Sequence, residues 1–278
     1  MMTIDEIISK ALAEDIGDGD HTSLSTIPDD ATGRAKLLVK QEGILSGMQI
    51  AAKVFEQVDK RLVMHPLLND GEVIKPGDIA FTVEGPSASI LKAERLMLNF
   101  MQRMSGIATN TSRYVERLKG LHTRILDTRK TTPLMREPEK MAVRHGGALN
   151  HRFGLFDMIL IKDNHVDFAG GIAKAIHSAN DYLKRTGRNL KIEIEVRNFD
   201  ELQQVLDTGM VDRIMLDNFT PDALREAVGL IAGRYETEAS GGITLETIRQ
   251  YAETGVDFIS VGALTHHITS LDLSLKAY

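Results

Sequence analysis

Beyond residue 120 the chain repeats one unit: an apolar run of strand character, a polar ending, then a stretch with helical periodicity. The runs cover residues 123–127, 157–162, 191–196, 213–217, 235–239 and 257–261. Between them, Phe199, Leu202, Val205 and Leu206 share a helical face behind Asn198, with Glu201 three residues on, and Thr220-Pro221 offers an N-cap and a first-turn proline. Strands alternating with helices at this spacing run parallel, joined by right-handed crossovers. Six units predict an open, incomplete parallel α/β barrel of about six strands.

The first part of the chain follows a different pattern. Thr3-Ile4-Asp5-Glu6 has capping-box spacing, and Ile4, Ile7, Ile8 and Leu12 form one apolar face, so a helix of about a dozen residues opens the chain. The stretch "DIGDGDH" at 15–21 fits no register of a calcium loop and predicts a tight turn. From Gly33 to Glu84, "RAKLLVKQ", "RLVMHPLL" and "DIAFTVEG" predict short strands in a small α+β layer. Ser87 to Leu118 predicts one long helix, bent at Gly106, whose stripe Met97, Met101, Met104 and Ala108 serves core packing or a subunit seam.

Composition narrows the function. Of 278 residues, 42% are hydrophobic and 26% charged, as in a globular protein. A formal charge of −6 argues against nucleic acid or an acidic membrane as partner, so any anion site must be local. The absence of cysteine removes thiolate nucleophiles and cysteine-ligated zinc. The N-terminus shows no signal-peptide pattern and no run approaches a membrane span, so a cytoplasmic location is the expectation.

The strand endings carry the chemistry. They read Thr128-Arg129-Lys130, Lys162-Asp163-Asn164-His165, Glu195, Asp217-Asn218, Ser240-Gly241-Gly242 and Val261-Gly262. In a parallel barrel these ends emerge at one face, where active sites are built. Ser240, Gly241, Gly242 and Gly262 allow backbone N–H groups, and a helix beginning near Thr244, to approach a phosphate. Glu195 and Asp217 offer hard oxygens for Mg²⁺ or for ribose hydroxyls, or form a general acid/base pair. Arg129, Lys130, His151, Arg152 and Lys162 gather positive charge with few carboxylates nearby in sequence, which predicts a multiply charged anion in the pocket.

Read in order, "EDIGDGDHTS", "LNFMQRMSGIAT", "ILDTRKTTP", "GALNHRFGLFDMILIKDNH", "IEIEV", "IMLDN", "EASGGIT" and "ISVGALTH" resemble the quinolinate phosphoribosyltransferase family across nearly the whole chain. The resemblance implies an N-terminal α/β sandwich domain with its long connecting helix (1–118), the open barrel (119–264) and a C-terminal segment returning to the first domain (265–278). It implies a homodimer, or an assembly of dimers, with shared active sites. The reaction implied joins quinolinate and 5-phosphoribosyl 1-pyrophosphate with Mg²⁺, releasing CO2 and pyrophosphate. By matched position, Arg129, His151 and Arg152 hold the quinolinate carboxylates, with Arg103 supplied by the neighbouring subunit. Lys130 and Lys162 lie between the substrates, Glu195 and Asp217 serve ribose and Mg²⁺, and Ser240, Gly241, Gly242 and Gly262 take the 5-phosphate.

Three departures from the family pattern stand out. Leu134-Met135-Arg136 replaces a Gly-Leu-Arg run, which puts that loop and any substrate role for Arg136 in doubt. His145 precedes Gly146-Gly147 where a small residue or Cys often stands and reads as local packing. Val211-Asp212-Arg213 carries one extra residue, so the register of Asp217 rests on its motif. Competing functions are an aldolase-like Schiff-base role for Lys162, a ligand-binding relative associated with molybdenum transport, and nicotinate phosphoribosyl transfer. The dicarboxylate set Arg103, Arg129, His151 and Arg152 favours quinolinate over each.

Overall fold

The computed structural model describes residues 2–278. The chain forms two compact units: one takes the chain up to Ser112, Thr131–Gly147 and Leu264–Tyr278, and the other takes Arg113–Lys130 and Ala148–Ala263.

In the first unit, an antiparallel sheet runs in the order Leu273–Ala277, Thr32–Val39, Ile79–Pro86, Val63–Pro66. Alternation in Thr32–Val39 buries Ala35, Leu37 and Val39 on one face, as period-two patterning requires. The helix Met48–Val58 covers that face, with Phe55 meeting Phe81 edge to face at 5.7 Å. Burying each such ring stabilises the layer by roughly 1.5–3 kcal/mol. The opening helix, Ile4–Ile16, has the expected capping box: Glu6 N–H donates to Thr3 Oγ1 at 3.2 Å and Thr3 N–H to Glu6 Oε2 at 2.7 Å. After Gly17 closes that helix, Asp20 caps the next one, His21–Thr26, by accepting from Ser23 N–H at 3.1 Å, so "DIGDGDH" is a helix-to-helix turn.

The helix Ser87–Arg117 runs unbroken through Gly106. That glycine serves close packing, since a Cβ there would fall on the carbonyl oxygen of Thr269 in the returning C-terminal segment. Met97, Met101, Met104 and Ala108 are fully buried and pack as core. His145 is tied to the same unit by a 2.8 Å hydrogen bond between its Nδ1 and Ser46 Oγ, and burial pulls the imidazole below its ordinary pKa. This is a polar contact where the sequence predicts plain packing. Leu134 adopts φ 66°, the left-handed region a glycine would enter freely, and Arg136 Nε donates to Thr131 Oγ1 at 3.1 Å within its own loop.

The second unit holds six parallel strands in the order Arg124–Leu126, Phe258–Ser260, Glu236–Ser240, Arg213–Asp217, Ile192–Val196, Ile159–Ile161. Among the described residues no ladder joins the two edge strands, so the barrel is open as expected. Asn198 caps the helix Phe199–Thr208 through Glu201 N–H at 2.9 Å, and Thr220 caps Pro221–Ile231 with proline in its first turn. One element differs from expectation. No helix starts near Thr244: residues 244–247 form a turn, in which Thr244 N–H donates to Thr247 Oγ1 at 3.0 Å and Thr247 N–H to Thr244 O at 3.2 Å, and the helix is Ile248–Ala252.

Gly106→Ala should lower unfolding free energy by about 2 kcal/mol, because the added methyl forces helix and returning segment apart. A shift of the urea midpoint at unchanged slope checks this, and an unshifted midpoint would contradict the packing role.

Candidate active site

The pattern of the second sheet builds the site. In Ile192–Val196 the aliphatic residues Ile192, Ile194 and Val196 take one side and Glu193 and Glu195 the other, and every one is buried. The next two strands repeat this with Arg213, Met215 and Asp217, and with Glu236, Glu238 and Ser240. Register aligns Glu193, Arg213 and Glu236 in one row, Glu195, Met215 and Glu238 in the next, and Asp217 with Ser240 at the strand ends. Polar side chains therefore line the interior in layers.

In the lower layers Arg213 meets the acids Glu236 and Glu238. Arg213 Nη1 donates to Glu238 Oε2 at 3.1 Å, its Nη2 to Glu236 Oε2 at 3.0 Å, and its guanidinium lies over the Phe258 ring at 4.2 Å. Burial pulls its pKa down, yet Glu193 and Glu238 outweigh that and hold it above its ordinary value. Glu193 is pushed up to about 6, by burial opposed by Arg213. Burial, and then the charge of Glu193, push Glu238 up to about 8, so this carboxyl keeps its proton at neutral pH.

His151 sits on this layer rather than standing apart as a cation. It is buried, with Nε2 3.1 Å from Glu193 Oε2 and 3.5 Å from Glu238 Oε2, while Nδ1 accepts the Arg152 backbone N–H at 2.7 Å. Asp127, fully buried at the end of the first strand, accepts the His151 N–H at 2.8 Å and Asn150 Nδ2 at 2.6 Å, and so fixes the loop. His151, Glu193 and Glu238 could in principle ligate a metal, but Arg213 already supplies the positive charge there.

Above them the charges are less balanced. Burial, and then the neighbouring Arg129 charge, hold Arg152 below its ordinary pKa, so two guanidiniums stand close enough to repel. Arg152 Nη1 donates to Met158 O at 3.2 Å. Arg129 and Lys130 are exposed after the first strand. Lys162, the N-cap residue of the helix Asp163–Ala169, places Nζ 2.7 Å from Glu195 Oε2. Asp217 accepts from Ser240 Oγ and from Asn218 Nδ2, both neutral donors. Gly241, at φ 96°, lets Asn218 approach, since a Cβ would overlap the Asn218 side-chain oxygen, whereas Gly242, at φ 62°, faces open space. Gly262 follows the strand Phe258–Ser260 by two residues.

Arg103 belongs to the first unit. It rises from the long helix with its side chain 29% exposed and pairs with Glu139 at 2.7 Å. The second unit also has an open hollow of about 610 Å³ at the opposite, N-terminal ends of its strands, near Arg124, Lys191 and Phe258. Two of its acids are engaged locally, Asp257 by Thr237 N–H at 2.8 Å and Asp212 by Ile192 N–H at 2.7 Å.

Sequence reasoning missed Glu193, Glu238, Arg213 and Asp127. The signal was present in the alternation of "IEIEV" and "ETEAS", which puts two glutamates of each strand on its interior side.

Fold and site define an α/β-barrel enzyme that takes anionic substrates. Residues 20–105 match the family model for the quinolinate phosphoribosyl transferase N-terminal domain, and residues 107–276 that for the C-terminal domain. A tobacco (Nicotiana tabacum) quinolinate phosphoribosyltransferase [decarboxylating] is 45% identical over 97% of this chain and 81% of its own. A probable nicotinate-nucleotide pyrophosphorylase [carboxylating] of Bacillus subtilis is 40% identical over 99% and 93%. The solved nicotinate-nucleotide pyrophosphorylase of Francisella tularensis superposes with a TM-score of 0.93 at 42% identity, over 99% of this chain and 96% of that one. The chain belongs to the quinolinate phosphoribosyltransferase family.

The folded state holds on Glu238 a proton that the unfolded chain releases near 4.5, so the folded state binds more protons as pH climbs towards about 8. Stability therefore falls across that window. Urea unfolding from about pH 5 to about pH 8 should show wild type losing stability while Glu238→Gln, neutral throughout, loses less. Parallel pH profiles would refute the protonated carboxyl.

Proposed function

We propose that the protein transfers the phosphoribosyl group of 5-phosphoribosyl 1-pyrophosphate to quinolinate with decarboxylation, giving nicotinate mononucleotide, CO2 and pyrophosphate in de novo NAD biosynthesis. The observation that carries this reading is the half-buried Arg152 guanidinium, held below its ordinary pKa first by burial and then by the nearby charge of exposed Arg129. Like charges are held together there at a cost that a substrate with two adjacent carboxylates would relieve. The family's named activity agrees with it.

In this reading Arg129 and Arg152 meet the pyridine carboxylates, and Arg103 of a neighbouring subunit closes the set in a homodimer or an assembly of dimers. His151 contributes by seating Arg152, whose backbone N–H it accepts. Ser240, Gly241, Gly242 and Gly262 take the 5-phosphate through backbone donors, without the helix terminus expected from sequence. The C1–oxygen bond breaks with its electron pair leaving on pyrophosphate, the pyridine nitrogen bonds C1, and Lys130 and Lys162 offset charge on the departing oxygens. The ribosylated ring is cationic, so the 2-carboxylate leaves as CO2, the electron pair stays on ring carbon beside N⁺, and a solvent proton replaces it. Positioning and electrostatics carry these steps, and no single general base is assigned.

Glu195 and Asp217 fit a magnesium ion. Both offer hard oxygens at adjacent strand ends, and the Asp217 bonds come from neutral donors that leave its charge uncompensated. Bound directly or through water, Mg²⁺ would neutralise pyrophosphate oxygens. The Lys162 ammonium, ion-paired with Glu195, is poorly suited to the Schiff-base alternative. Among the described residues no helix is long and apolar enough to cross a membrane, and the enzyme is proposed to work in the cytoplasm without nucleic acid or membrane partners.

Incubation with quinolinate, phosphoribosyl pyrophosphate and Mg²⁺ should release CO2 and nicotinate mononucleotide in equal amounts, and chelating Mg²⁺ should stop it. No turnover together with no quinolinate binding rejects the function. Arg103→Ala and Lys130→Ala proteins, each strongly impaired alone but still turning over at high quinolinate, should regain activity when mixed into dimers, because one native site forms per heterodimer. Verified mixed dimers no more active than the separate variants would rule out the shared site.

A further inference from the structure

Glu139 has no place in the chemistry above, yet it is a fully buried carboxylate in the first turn of the helix Arg136–His145. Burying a lone charge is costly, and the cost is met only when partners satisfy its oxygens. Here they do. Oε1 accepts Arg103 Nε at 2.9 Å and lies 2.7 Å from Arg103 Nη2, while Oε2 accepts Thr132 N–H at 3.2 Å. Arg103 Nη2 donates in turn to Thr132 Oγ1 at 2.7 Å and makes a long contact of 3.5 Å to Thr265 O.

The geometry of the grip is selective. The carboxylate takes the guanidinium along its Nε–Nη2 edge, and no described residue bonds Nη1. A long arginine on a helix surface otherwise keeps about 2 kcal/mol of rotamer entropy, all of which would be lost on binding. A side chain fixed beforehand presents its free edge at lower cost. The same carboxylate holds the backbone of Thr132, so the start of the loop that follows Lys130 is set by the same group that sets Arg103.

We propose that Glu139 is a positioning residue for substrate binding: it pre-orients Arg103, with Thr132, so that Nη1 is aimed at a carboxylate of the pyridine substrate. This rests on the reading that Arg103 binds quinolinate. Glu139 touches neither substrate, and its effect reaches the reaction only through Arg103.

A double-mutant cycle on the full-length enzyme separates this from a structural role. Glu139→Gln should raise KM for quinolinate about tenfold, the worth of about 1.4 kcal/mol, with the loss falling on that KM rather than on kcat or on KM for phosphoribosyl pyrophosphate. In an Arg103→Ala background the same substitution should change KM less than about twofold. Should Glu139→Gln fold poorly in thermal melts, Thr132→Val, which removes only the Oγ1 bond, should give a smaller rise of the same kind, again absent without Arg103. Equal fold-changes in both backgrounds, or a wild-type KM in Glu139→Gln, overturn the proposal and leave the transferase reading standing. A wild-type quinolinate KM in Arg103→Ala overturns it together with the assignment of Arg103 to the substrate.

Discussion

A half-buried guanidinium, Arg152, with the exposed Arg129 charge close to it, is the arrangement on which this structure turns. Arg152 is depressed by burial and by Arg129, and the carboxylates that could relieve the pair, Glu193 and Asp157, attract Arg152 without restoring it. A fold pays for such crowding only if something that arrives later removes it. The strand ends therefore specify a dianion more strongly than any single residue does.

The layers beneath explain how the chain tolerates this. Glu193, Glu238, Arg213 and His151 fill the barrel interior, where Arg213 faces the two carboxyls and Glu238 holds a proton so that both need not ionise. At the mouth the balance is left open in both signs. Arg129 and Arg152 bring two like charges near each other, while Asp217 accepts from the neutral donors Ser240 and Asn218, an arrangement suited to a metal ion. Strand alternation is the device that separates the settled interior from the unsettled rim, because it sends every second residue of each strand inward at a fixed height.

Much of this was legible in sequence because it is periodic. The repeat of apolar run and polar ending predicts an open six-stranded parallel barrel, and the caps at Thr3, Asn198 and Thr220 are written as local spacings. What escaped is non-local or locally ambiguous. The pairing of Glu139 with Arg103 spans 36 residues and two helices, with no periodic trace. The charge cluster was read as short of carboxylates because its partners, Glu193 and Glu238, come from other strands. The helix expected near Thr244 begins at Ile248, after a turn in which the Thr247 hydroxyl accepts Thr244 N–H. Glycines 241 and 242 look alike in sequence, but one accommodates Asn218 and the other faces open space.

The most direct measurement compares the binding of quinolinate and nicotinate to the same protein by calorimetry, then repeats both with Arg152→Ala. If the crowded cations exist for a dicarboxylate, quinolinate binds at least about tenfold tighter than nicotinate, and removing Arg152 erases most of that margin. Equal affinity for the two acids, or a margin that survives the loss of Arg152, would contradict the account.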